Sequence, residues 1–205
     1  MIFNILVCGV GGQGVITFGR LLSVAGLRDP KVCDVVGAET RGVAQREGIT
    51  SAVVRWNLGR EPLALSPVIP QGQVHLLVSL EAVEVFRYLP SLNPDTVVLA
   101  DTRRILPKTV LGNDLPEYPP NEELEARLHS AFPKAHFLDA HKLSTQEFNT
   151  YQQTAIILFS TLFAESSPCP PPIDLESFRG AVQQMFPGKA APLQAIEVGR
   201  VHAWR

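Results

Sequence analysis

The feature that most constrains this chain is the stretch NILVCGVGGQGVITFGRLL, residues 4–22. An apolar run meets three glycines spaced G-x-G-x-x-G (Gly9, Gly11, Gly14), and an amphipathic pattern follows at once. Ile2 to Cys8 is, apart from Asn4, a continuous apolar run without alternation, the signature of a strand buried on both faces of a parallel sheet. Val15, Phe18, Leu21, Leu22 and Ala25 then fall on one helical face. A second short strand is expected at VCDVV (32–36), so strand, glycine turn, helix and strand make one βαβ unit.

The rest of the chain keeps this alternation. A polar loop is expected over 37–48, then a strand in ITSAVVRW (49–56) and a third parallel-type strand in VHLLVSL (74–80). A helix over 82–89, a turn at Asn93-Pro94-Asp95, a strand over 96–101, a helix over 121–132 and a strand over 135–140 follow. One long helix is expected from Thr145 to Ala164 with Ser144 as N-cap. SSPCPPP (166–172) ends it, and 174–186 is expected to be the final helix. The fold class is therefore α/β: an open, mostly parallel, Rossmann-like sheet flanked by helices, one domain over 1–205 with a helical extension from about 173.

Composition excludes several functions. A net charge of −2 with no basic, aromatic-interleaved run argues against nucleic acid. No apolar run reaches the ~20 residues of a bilayer span, and the apolar start lacks a basic leader, so a cytoplasmic protein is expected. The three cysteines, Cys8, Cys33 and Cys169, are one thiolate short of a [4Fe–4S] cluster. The five histidines show no metal spacing, so no metal site is expected.

The glycine turn admits three uses: a dinucleotide fingerprint, another phosphate cradle, or a structural turn. Its first glycine is expected to supply an otherwise forbidden backbone, its second to admit an anion or a neighbouring chain, and its third to let the helix pack against the strand. A nicotinamide site also needs an acid near the end of the second strand. Asp34 lies inside the strand, and Glu39 is the better placed. In the loop, Arg41 and Arg46 flank Gln45, with Gly37, Gly42 and Gly48 between and around them. Two guanidiniums beside helix N–H donors would accept an anion; alternatively they pair with Glu39 and Glu47 on a solvated loop. Ser79 and Glu81 are expected to cap the following helix, and Asp101 and Arg103 to form a cap and a surface pair. Phe148, Tyr151, Phe159 and Phe163 are expected on a buried helix face.

GVGGQGV (9–15) followed by GAETRGVAQREG (37–48), and then a strand ending in Val54-Arg55, resembles the gamma-type subunits of 2-oxoacid:ferredoxin oxidoreductases. Within that family the pattern is nearest to the beta subunits of indolepyruvate ferredoxin oxidoreductases. Residues 68–101 follow the same order, and the resemblance spans about residues 3–165. It implies an accessory subunit, inactive alone, in an enzyme that oxidatively decarboxylates aryl-pyruvate-type 2-oxoacids on thiamine diphosphate. It also implies magnesium and [4Fe–4S] clusters on a partner subunit, coenzyme A as acyl acceptor, ferredoxin downstream, and self-association of the isolated chain. Gly9, Gly11, Gly12, Gln13, Gly14, Arg41, Gly42, Gln45 and Arg46 are then the residues that contact an anion, a cofactor or a partner. No catalytic residue is expected here. Two departures stand out: Glu47 replaces a glycine of the second motif, and Phe148, Tyr151, Thr154 and Phe159 interrupt a G-N-x-R-x-x-N…L-G pattern that Asn149 and Leu158 keep. They imply altered packing against the neighbouring subunit.

Overall fold

In a computed structural model, residues 1–41, 49–61, 66–104, 119–202 and 204 are described. Six strands form one sheet in the order β2-β3-β1-β4-β5-β6. They are β1 (Ile2–Val10), β2 (Asp34–Arg41), β3 (Ile49–Asn57), β4 (Leu76–Ser79), β5 (Val97–Asp101) and β6 (Ala135–Leu138). The pairs β1–β4, β4–β5 and β5–β6 are parallel; β3 runs antiparallel to both β1 and β2. The expected βαβ unit is therefore split, with β3 inserted between its two parallel strands. β2 also runs to Arg41, so GAETR is strand and not loop, and residues 42–48 lie outside the described residues.

β1 shows why the early apolar run predicts a two-faced strand. Ile5 and Val7 enter one apolar cluster, while Leu6 and Cys8 enter another on the opposite face. The first cluster is covered by α1 (Val15–Arg28), α4 (Thr154–Ser160), α5 (Leu175–Met185) and α6 (Ala190–Arg200). The second lies under the 3₁₀ helix Ala82–Ser91 and α2 (Asn121–Ala131). The expected α-helix at 82–89 is 3₁₀ and carries Pro90, which has no N–H to donate.

The long helix expected over 145–164 is three pieces. α3 (Ala140–Phe148) starts earlier, capped by Asp139, whose carboxylate accepts from Lys142 N at 3.0 Å. It stops at Asn149, which sits in the left-handed region at φ 54°. Ser144 holds the break and is not a cap: its hydroxyl donates to Thr150 O at 2.6 Å and accepts from Gln153 N at 3.2 Å. α4 then begins at Thr154 with all seven residues buried, and a 3₁₀ turn (Thr161–Phe163) ends the run. The helix at 175–185 is not the last one. α6 follows, with Pro192 in its first turn, where a missing N–H costs nothing.

Close helix–sheet packing rests on two glycines outside the motif. A β-carbon on Gly19 would lie 2.5 Å from Ala52 Cβ on β3, and one on Gly26 would lie 2.5 Å from Trp56 Nε1. Trp56 is fully buried and its indole donates to Leu22 O at 3.1 Å. Substituting Gly19→Val should therefore push α1 off β3 and cost about 1–3 kcal/mol, read as a lower urea midpoint. A second change, Ala52→Gly, should restore part of the loss. An unchanged midpoint in the single variant would contradict this packing.

Candidate functional site

The carboxyl ends of β1, β4, β5 and β6 lie along one sheet edge, where open α/β sheets bind ligands. The chain leaves β1 toward β2 on one side and leaves β4 toward β5 on the other, so the crevice between β1 and β4 is the topological switch point. Gln13 occupies it. Its Oε1 accepts from Val10 N at 2.6 Å and its Nε2 donates to Leu80 O at 2.8 Å, stapling the end of β1 to the end of β4.

The glycines are explained by this staple, and their roles differ from those the spacing suggests. Gly9 provides space, because a β-carbon there would collide with Gln13 Oε1 and press on Leu80 Cβ. Gly12 and Gly14 carry the backbone, at φ +97° and +85° on either side of Gln13, with open space around them. Gly14, expected to admit close helix packing, is instead the N-cap of α1; no side chain caps that helix start.

The remaining expected site residues divide into two groups. Arg41 ends β2 opposite Thr50, which in turn pairs with Gly9, so Arg41's backbone stands at the same sheet edge as the turn. Gly42, Gln45 and Arg46, with Glu47 and Gly48, lie outside the described residues. Glu39, the acid proposed for a ribose, is in β2 and pairs with Arg20 (2.7 and 3.2 Å). Asp34 opens β2 and binds the N–H of Val35 at 2.8 Å.

On the β5–β6 side, Asp101 is 1 % exposed and accepts a long bond from His141 N, at 3.4 Å. Burial pushes its carboxyl up to about 7, against some help from the His141 and Arg103 backbones. Arg103 Nη1 lies 3.0 Å from His141 Nδ1. Arginine cannot accept, so Nδ1 is the acceptor and the imidazole proton is on Nε2. Glu81 takes the N-cap position of the 3₁₀ helix without a side-chain cap bond, while Ser79 Oγ donates to Glu81 O at 2.6 Å. Cys8 donates to Ser79 Oγ at 3.2 Å, and burial pushes its thiol up to about 12, which makes it inert.

An open cleft of about 270 Å³ lies next to the plugged crevice, between the start of α1, residues 151–156 and the α5–α6 junction. Tyr151, Gln152, Gln153 and Lys189 line it together with Gly12 and Thr17. Tyr151 is 49 % exposed and stacks on His141 at 5.9 Å, so it leaves the buried aromatic face that holds Phe159. Sequence reading missed Lys189; its signal was a cation standing directly after Pro187-Gly188 and before a helix.

Two outcomes test this geometry. Gln13→Leu should cost about 1–3 kcal/mol by stranding Val10 N–H and Leu80 C=O, and should speed hydrogen exchange at the Val10 amide; wild-type protection there would contradict the staple. For Asp101, the native state keeps the proton to about 7 while the unfolded carboxyl releases it near 3.8. Stability from this group is thus full at low pH and is lost as pH rises through 7. Asp101→Asn should be more stable than the parent at pH 8, on the order of 4 kcal/mol, with the gap closing by pH 4. A pH-independent gap would refute the buried acid.

Comparison with known proteins places this arrangement. Residues 4–201 match the family Pyruvate ferredoxin/flavodoxin oxidoreductase. The chain is 31 % identical over 201 residues to the Indolepyruvate oxidoreductase subunit IorB of Archaeoglobus fulgidus, covering 97 % of this chain and 94 % of that one. In fold it is similar to the keto/oxoacid ferredoxin oxidoreductase gamma subunit of Geobacter sulfurreducens, with a TM-score of 0.66 at 16 % identity, covering 97 % and 94 % of the two chains. It is equally similar to the 2-oxoglutarate:ferredoxin oxidoreductase of Magnetococcus marinus (TM-score 0.66, 16 % identity), of which it covers 30 % against 97 % of itself. The chain with the Gln13-stapled turn thus belongs to the pyruvate ferredoxin/flavodoxin oxidoreductase family, as an accessory subunit of a 2-oxoacid ferredoxin oxidoreductase.

Proposed function

We propose that this chain is the interface-forming subunit of a thiamine-diphosphate-dependent, indolepyruvate or aryl-pyruvate type ferredoxin oxidoreductase. The partner subunit carries thiamine diphosphate, magnesium and the [4Fe–4S] clusters, which pass electrons to ferredoxin; coenzyme A takes the acyl group. The observation that carries the reading is the staple. Gln13 fills the crevice where a dinucleotide would lie, while the start of α1 beside it has no capping side chain. Such an edge suits a neighbouring subunit and the approach to its active site better than a cofactor held by this chain alone.

This chain's residues do not fit an iron–sulfur cluster. Its three cysteines are one short, and Cys8 is buried with a thiol held protonated. Glu39, the acid a free-standing dinucleotide enzyme would need, is held by Arg20 in a pair on the sheet's edge strand. The Magnetococcus enzyme was solved with 2-oxoglutarate, coenzyme A and succinyl-CoA bound, which supports a coenzyme A path near a domain of this fold.

Co-expression with the large thiamine-dependent chain tests the reading. The two should co-purify, and aryl-pyruvate-dependent reduction of ferredoxin should require both. An isolated chain is expected to be inactive and to self-associate through the surface meant for its partner. Full turnover by the lone chain would overturn the assignment.

A further inference from the structure

The cleft beside the staple has a composition that the subunit role does not explain. Its floor is apolar, formed by Phe18, Leu21, Ala155, Ile156, Phe186 and Pro192. Its rim is built from donors. Lys189 lines it and makes no ion pair among the described residues. The start of α1 faces it with no capping side chain. Gln153 also lines it, is only 7 % exposed, and its carboxamide has no hydrogen-bond partner among the described residues. The carboxamide is not among the sealed, unsatisfied polar atoms, so it stays open to the cleft and free to bond whatever enters it. No carboxylate lines the cleft among the described residues, so nothing there neutralises Lys189.

We propose that this cleft is a binding site for a small amphiphilic monoanion of the arylalkanoate class, an aromatic body seated on the Phe18–Phe186 floor with its carboxylate at Lys189, Gln153 and the first amides of α1. The volume of about 270 Å³ sits just below the 300–1,000 Å³ typical of clefts for drug-sized ligands, so a compact ligand fits whole and a large cofactor does not. The site lies on this chain alone and stands or falls independently of the subunit reading. If that reading holds, an aryl 2-oxoacid is a ligand of this class, and the cleft senses it away from the partner's thiamine centre.

Calorimetric titration of the full chain with indole-3-acetate, a probe that cannot be turned over, tests the site. Saturable binding with Kd below about 1 mM is expected. Acetate lacks the aromatic body and indole lacks the charge, so each should bind at least roughly tenfold more weakly. Lys189→Met, an exposed position whose change leaves the core intact, should weaken indole-3-acetate about tenfold, the loss of one charge-assisted hydrogen bond. Ala155→Leu, which fills the floor, should abolish binding, with far-UV circular dichroism as the check on folding. Absence of saturable binding, or binding indifferent to Lys189→Met, would overturn the proposal. Inorganic phosphate or coenzyme A binding more tightly than indole-3-acetate and displacing it would also overturn it, reassigning the cleft to a phosphate. Co-purification with the large chain is unaffected by any of these results, so the two failures are distinguishable.

Discussion

One side chain organises the functional edge of this protein: Gln13, whose carboxamide accepts from Val10 and donates to Leu80. In doing so it satisfies two backbone groups at the ends of adjacent parallel strands, groups that are costly to leave unpaired. The glycines around it serve that single purpose. Gly9 clears the space its carboxamide fills, and Gly12 and Gly14 supply the left-handed turns that aim it inward. The same G-x-G-x-x-G spacing that marks a phosphate cradle in other folds here closes a crevice from within. The start of α1, which no side chain caps, borders the neighbouring cleft.

Most of the fold was legible because its signals are local. A two-faced apolar strand, a glycine turn and a 3.6-residue stripe are each decided within a dozen residues, and β1 and α1 are where those signals put them. What escaped depends on distant partners. The insertion of β3 between β1 and β2 is a pairing choice that alternation cannot reveal, since ITSAVVRW reads as a strand in either direction. The broken helix escaped for a related reason. Asn149 in the left-handed region and the two hydrogen bonds of Ser144 end one helix inside a stretch whose residues all tolerate helix.

The site was partly legible. The motif glycines and Gln13 do gather at the sheet edge, with the end of β2 beside them, as a strand–turn–helix context requires. Their division of labour was hidden, because G-x-G-x-x-G looks the same whether a phosphate or a carboxamide fills the crevice. The cleft was not legible at all. It is assembled from α1, the 151–156 break and the α5–α6 junction, the first of which lies more than a hundred residues before the other two, and α6 itself gave little warning. The departure at Tyr151 acquires a physical meaning there: an aromatic ring standing half in solvent over His141, at the mouth of the cleft.

The central question is whether the chain's own residue closes the glycine crevice. Titrating NADH and NADPH into the purified full chain by calorimetry asks this directly. With Gln13 seated between β1 and β4 and Glu39 bound to Arg20, neither nucleotide should give saturable heat at concentrations up to about 1 mM. Micromolar binding that disappears in Glu39→Gln would show an open dinucleotide site and contradict the account.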